Sequence, residues 1–182
     1  KLYDELDESV HLCAFNNDAA YVVDQVQSNK VYNLSATVGM AEPLHSSSVG
    51  KCILAFRPPF AAVRLLKDYP LTAYTPKTIT DVDILMEQLA IIRSQGYAVD
   101  DEEIALGVRC IAAPIYNYRG EVNYSLGVSG TTNNIKPSAM DRYLTALLSA
   151  SSQISSALGY KCGRQSPEVQ PPGPYGDSGR DE

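Results

Sequence analysis

The stretch Leu44-His45-Ser46-Ser47-Ser48-Val49-Gly50-Lys51-Cys52-Ile53-Leu54-Ala55 decides how the rest of the chain is read. Three serines run into an apolar segment, and Pro58-Pro59 ends it, which predicts a helix over about 47–56. Hydroxyls and unpaired N–H groups of a first turn open on the same space, where the helix dipole favours an anion. A small carboxylate against Ser48 and Val49, with Gly50 permitting close approach, fits this pattern. An elaborate N-cap fits it equally.

Outward from that helix, a second stretch carries the opposite wall. It runs Gly96-Tyr97-Ala98-Val99-Asp100-Asp101-Glu102-Glu103, then Gly107-Val108-Arg109-Cys110-Ile111-Ala112-Ala113-Pro114. Residues 97–99 are extended, and Asp101-Glu102-Glu103 forms a loop or one helical turn with a solvated face. Strands over 108–116 and 122–128 pair antiparallel through a turn near Arg119-Gly120. Alternation puts Val108, Cys110 and Ala112 on one face, and likewise Ser125, Gly127 and Ser129. A two-residue loop at Arg119-Gly120 sets Cys110 opposite Ser129 and Ala112 opposite Gly127. A bulge at Gly120 would shift that pairing. Arg109 points away from Cys110, which suits an ion pair or an interface. Asp100 either caps the turn that follows it or accepts hydrogen bonds from a ligand hydroxyl or amine. Beside a ligand carboxylate its pKa would rise and it could donate instead.

The remaining pattern supplies a frame. Residues 1–8 are the end of a helix, and residues 10–15 alternate as a strand. Asn16-Asn17-Asp18 turns the chain into a return strand over 20–26, with a third extended piece around 30–34. Residues 39–43 are a loop and 60–67 a short helix. Thr80 caps a helix whose apolar stripe is Val82, Leu85, Leu89 and Ile92, stopped by Gly96. Met140, Leu144, Leu147, Ser151, Ile154 and Leu158 form one stripe on a last helix, closed by Gly159. The order gives an α+β fold, an antiparallel sheet with helices packed on its faces. Residues 9–161 form the one domain, and 162–182 a flexible tail, because residues 163–182 hold four Pro and four Gly with almost no large apolar side chain.

Composition narrows the function. At 182 residues, 45% apolar and 20% charged, the chain is an ordinary globule of one-domain size. Net charge is −6, with 15 basic residues scattered among 21 acidic ones, so the chain lacks the basic run that phosphate binding needs. Cys13, Cys52, Cys110 and Cys162 are far apart without a C-x-x-C pair, which fits free thiols in the cytoplasm. No long apolar run suggests a membrane span. A Cys110 nucleophile would need His11 or His45 as its base, and no G-x-S-x-G elbow is present. His45 is expected to pack and orient the serine loop, and His11 to be structural or solvent-facing. Two histidines and dispersed carboxylates offer no dedicated metal site, and no cofactor motif appears.

The two quoted stretches, in this order and spacing, resemble the effector-binding domain of the IclR (isocitrate lyase regulator) family of bacterial transcription factors. The resemblance covers residues 6–160. It implies a GAF-like fold, a small-molecule sensor rather than an enzyme, and a pocket lined by Ser48, Val49, Asp100, Val108, Cys110, Gly127 and Ser129, with Val31 on a further apolar wall. The family often has Ser where Gly127 stands, within an S-x-S-G pattern, so a larger cavity and a bulkier or less polar effector are expected here. The resemblance also implies an organic, sugar or aromatic acid as effector and a homodimer or homotetramer. DNA would be met only through an N-terminal winged helix-turn-helix, not contained in this chain and joined through the helix at residues 1–8. A stand-alone GAF-like sensing module without a DNA-binding partner is the alternative.

Overall fold

A computed structural model describes residues 1–30 and 36–161. The third extended piece expected around 30–34, the Val31 wall position and the 162–182 tail fall wholly or mostly outside the described residues. A short helix α1 (Leu2–Leu6) leads into strands β1 (Ser9–Asn16) and β2 (Ala19–Val26). Asn17 and Asp18 join them, both left-handed at φ 47° and 61° as the tight hairpin turn requires. Next come β3 (Ala41–Glu42) and helices α2 (Ser48–Ala55), α3 (Pro59–Leu66) and α4 (Val82–Gln95). Strands β4 (Ala98–Asp101), β5 (Val108–Tyr116) and β6 (Val122–Thr131) and helix α5 (Met140–Ala157) complete the order.

The six strands form one antiparallel sheet in the order β3-β2-β1-β6-β5-β4. Side-chain alternation splits its two faces. Cys13, Ala98 and Ala112 pack under α2 and α4, whereas Ile111, Ala113, Ile115, Leu126 and Val128 pack under α5. Helix α2 is the centre of the first layer: all eight of its residues are buried. Apolar cores thus lie on both sides of the sheet, as an α+β layer architecture demands.

The pairing of β5 with β6 has Cys110 opposite Ser129 and Ala112 opposite Gly127, as expected, but for a different reason. The connection is a longer turn in which Asn117 N–H donates to the Glu121 carbonyl and Gly120 N–H to the Asn117 carbonyl. A bulge between Ile115 and Tyr116 then restores the register that the longer turn displaces.

Four local expectations are corrected. The loop at 39–43 contains β3, whose Glu42 pairs with Ala20. Asp81, not Thr80, caps α4: its Oδ1 accepts from Asp83 N–H at 2.9 Å and Ile84 N–H at 3.0 Å. Val82 therefore sits in the exposed first turn, while Leu85, Leu89 and Ile92 are buried. Helix α5 buries Tyr143, Ala146, Leu147, Ser151 and Ser155, and Leu158 is exposed. Polar bonds to the end of β5 explain that rotation. Ser151 Oγ donates to the Pro114 carbonyl, and Tyr116 N–H donates to Ser155 Oγ at 3.0 Å.

Candidate functional site

Antiparallel registers place Asp100 beside Cys110, Cys110 beside Ser129 and Ser129 beside Ser9, one cross-strand row on the face that meets α2. Between this row and the first turn of α2 lies a cavity of about 500 Å³. It gathers Ser48, Val49, Asp100, Val108, Cys110 and Ser129 from the expected set. Glu42 also lines it from β3, the far edge of the sheet, so the sheet curls until its two edges face one space.

At the mouth of α2 the three serines divide their work. Ser47 is the N-cap: its Oγ accepts from Gly50 N–H at 3.0 Å and donates to the Pro43 carbonyl at 2.7 Å. Gly50 is required here, because a Cβ would come within 2.5 Å of the Pro43 carbonyl oxygen and 2.7 Å of Leu44 Cα. Ser46 and Ser48 keep buried hydroxyls with no hydrogen-bond partner. Only Ser48 of these two lines the cavity. A buried hydroxyl without a partner costs free energy, so on a cavity-lining residue it marks a place where a ligand hydrogen bond would offset that cost.

Asp100 does cap its turn. Its Oδ1 accepts from Glu103 N–H at 2.7 Å and, more weakly, from Ile104 N–H at 3.4 Å. It also lines the cavity, so capping the turn does not remove it from that space. Burial pushes its pKa up to about 7; the two turn N–H groups and the nearby Lys51 ammonium oppose that rise, and Glu103 adds to it.

Glu103 was expected on a solvated face and is instead buried. Its carboxylate pairs with Lys51 of α2, a lysine with no exposed surface whose Nζ also donates to the Val99 carbonyl at 2.7 Å. Glu102 adopts φ 66°, which inverts the strand alternation and turns Glu103 inward. Asp101 and Glu102 do remain outside, paired with Arg109 at 2.5 Å and with Lys77 respectively. Arg109 thus takes the ion-pair role expected of it and also donates to the Ile135 carbonyl at 2.6 Å.

Gly127 does not itself face the cavity. It lies directly opposite His11 in the β1–β6 pairing, and the imidazole covers it. A Cβ on Gly127 would come within 2.4 Å of His11 Nε2 and 2.8 Å of Val49 Cγ1. The space freed by the missing side chain is therefore filled by the ring, and the enlargement expected at this position is not there. His11 is the cavity-lining residue at this point. Burial pushes its pKa down to about 4, so the ring is neutral. The parity of β1, which puts His11 on the same face as Cys13, was the sequence signal for it.

Burial also raises the Cys110 thiol, helped by the Asp100 carboxylate, which keeps it protonated and a poor nucleophile. His45 is fully buried, donates through Nε2 to the Thr72 carbonyl at 3.0 Å, and packs between Tyr69 and Tyr74. It holds the serine loop, as expected. Among the described residues no group of three or more His, Cys, Asp or Glu is placed to hold a metal ion. No helix of the described chain is long and apolar enough to cross a membrane.

Fold and site together define the class, an α+β domain with a curled antiparallel sheet, helices on both faces and a cavity between the sheet and the first turn of α2. Residues 1–156 match the family described as bacterial transcriptional regulator IclR, C-terminal, and the chain belongs to that family. It is 33% identical over 158 residues to the HTH-type transcriptional regulator BhcR of Paracoccus denitrificans, covering 87% of this chain and 57% of BhcR. The crystal structure of the C-terminal domain of E. coli KdgR superposes with a TM-score of 0.79 at 30% identity, over 87% of this chain and 92% of that one. The PobR inducer-binding domain from Acinetobacter, a double mutant in complex with 3-hydroxybenzoic acid, shares the fold at 24% identity. Its TM-score is 0.76, over 85% of this chain and 91% of that one. The chain spans about six-tenths of the length of the curated relatives it matches. Those relatives are transcriptional regulators, not enzymes.

Proposed function

We propose that this chain is the effector-binding domain of a bacterial transcriptional regulator and that a small carboxylate-bearing molecule occupies the cavity between α2 and the Asp100–Cys110–Ser129 row. The observation that carries this reading is Ser48, a cavity-lining residue whose buried hydroxyl has no partner, at the first turn of a fully buried helix. A carboxylate there would accept from that hydroxyl and from first-turn N–H groups, with the dipole in its favour. Cys110 and Ser129 would meet its other end, and the neutral His11 ring would floor the site over Gly127. The PobR fold-mate with its aromatic hydroxy acid supports the choice of chemical class.

In the whole regulator the effector would act by preferring one arrangement of a homodimer or homotetramer, biasing the form that holds DNA through a separate N-terminal module in the cytoplasm. The test is a thermal-shift panel of organic, sugar and aromatic acids on the native chain, Ser48→Ala and Cys110→Ser. A ligand at a hundred times its Kd adds about 2.7 kcal/mol, which raises Tm by roughly 5–10 °C in a domain of this size. Ser48→Ala should raise the ligand-free Tm, by removing an unsatisfied buried hydroxyl, and weaken binding about tenfold, the worth of one buried hydrogen bond. An active acid whose affinity is untouched by both substitutions would place the carboxylate elsewhere.

A further inference from the structure

The cavity wall is unusual in its charge. Two carboxyl side chains line it, Glu42 from one edge of the sheet and Asp100 from the other, and no Lys or Arg lines it among the described residues. Lys51, the nearest buried cation, spends its ammonium on Glu103 and the Val99 carbonyl. Neither Glu42 nor Asp100 forms an ion pair among the described residues. Both act electrostatically on the Cys110 thiol, which places them around the same volume.

An unsubstituted acid meets only part of this wall. Its carboxylate finds the Ser48 hydroxyl and the first turn of α2, while the Glu42 and Asp100 carboxyls offer it acceptors and no cation, which a buried anion cannot use. A molecule that also carries a donor would satisfy both ends. We propose that the effector is bipolar, an amino or hydroxy acid whose carboxylate sits at the first turn of α2 and whose ammonium or hydroxyl faces Glu42 and Asp100, and that Glu42 is the residue that selects for this donor. The assignment rests on the carboxylate-binding function proposed above and deepens it. Burial raises both carboxyls above the usual carboxylate range, so each is poised to gain from a donor that restores its charged form. Glu42 is the discriminating member because Asp100 already spends one oxygen on its turn.

Isothermal titration calorimetry of the full chain, with matched sets of three- to five-carbon acids and benzoic acids, tests this. Each set contains the unsubstituted acid, its hydroxy acids and its amino acids. At least one donor-bearing acid should bind tenfold or more tightly than its unsubstituted parent. Glu42→Leu should collapse that preference to within threefold. Glu42→Gln separates the two donors: an ammonium preference falls with the lost charge, whereas a hydroxyl preference survives because the amide oxygen still accepts. The ligand-free Tm of both variants reports that the fold is intact, and Glu42→Gln serves where Glu42→Leu does not fold. Unsubstituted acids binding as tightly as their derivatives would overturn the bipolar assignment and leave the carboxylate reading standing. A tenfold preference that survives both substitutions would remove Glu42 as its source. No binding by any acid would sink both readings together.

Discussion

Replacing Lys51 by Met should unfold this domain more readily than almost any other single change. The ammonium is fully buried, satisfied by the Glu103 carboxylate and by the Val99 carbonyl at 2.7 Å. Methionine fills most of the same volume, so the cost is electrostatic rather than a cavity. It leaves the Glu103 charge buried without its partner and frees a backbone carbonyl. Breaking a buried pair from one side costs about 3–5 kcal/mol, a large share of the roughly 5–15 kcal/mol that holds a domain together. With a urea dependence of about 2 kcal/mol per molar, the unfolding midpoint should fall by about 2 M. The chain has no Trp, so far-UV circular dichroism is the probe. Lys51→Met/Glu103→Leu should recover most of the loss, since an apolar pair of similar volume removes both buried charges. The deficit of the single variant should also shrink on acidification. Lys51 lowers the Glu103 pKa against the larger upward push of burial, and without it Glu103 folds most comfortably protonated. A single-variant loss below about 1 kcal/mol, or a double variant as weak as the two losses added, would refute the pair as the clamp between α2 and the loop after β4.

Three further outcomes follow from the same geometry. Gly127→Ser should cost about 1–3 kcal/mol by driving a side chain into His11 and Val49, and His11→Ala in the same chain should restore much of the Tm; no recovery would mean that the clash lies elsewhere. Asp100 holds its proton to about pH 7 in the fold but only to about 4 when unfolded, so its contribution favours the folded state at low pH and is lost as pH rises between those values, by up to about 4 kcal/mol. Asp100→Asn keeps the turn acceptor and should flatten that slope, read as Tm at pH 5 against pH 8; equal slopes in both proteins would contradict it. Cys110 should alkylate at pH 8 at least tenfold more slowly than free cysteine, because its thiol stays protonated, and a fast reaction followed by mass spectrometry would show the burial argument to be wrong.

Much of the frame was legible because it follows from short-range rules. The Asn16-Asn17-Asp18 turn, the helix led by three serines and stopped at Pro58, and the Gly96 stop at φ 85° are local chemistry, and each stands within a residue or two of its expected place. The β5–β6 register matches its expected pairing because two departures cancel: the turn is longer than two residues, and the bulge lies at Ile115/Tyr116 rather than at Gly120. Pairing arguments of this kind are sensitive to parity alone, so a pair of compensating one-residue mistakes is invisible to them. Of the site, Ser48, Val49, Asp100, Val108, Cys110 and Ser129 converge on one cavity, whereas Gly127 meets it only through His11.

What stayed hidden depends on a single dihedral angle or on two distant segments meeting. In the run Asp100-Asp101-Glu102-Glu103, plain alternation buries the first and third residues. Glu102 at φ 66° reverses the sequence, so the first and fourth are buried and the third reaches Lys77 at the surface. Four consecutive carboxylates give no compositional sign of which one is taken inside. The sign was on the other partner: Lys51 stands in the middle of an apolar helix with buried residues on every side, and a lysine there requires an acid. Glu42 follows the same logic, since only the curl of the sheet brings β3 across from β4 and gives an edge-strand glutamate a cavity to line. The polar groups that line and flank the cavity are thus set by tertiary closure, and a residue that violates the local pattern is the best available pointer to them.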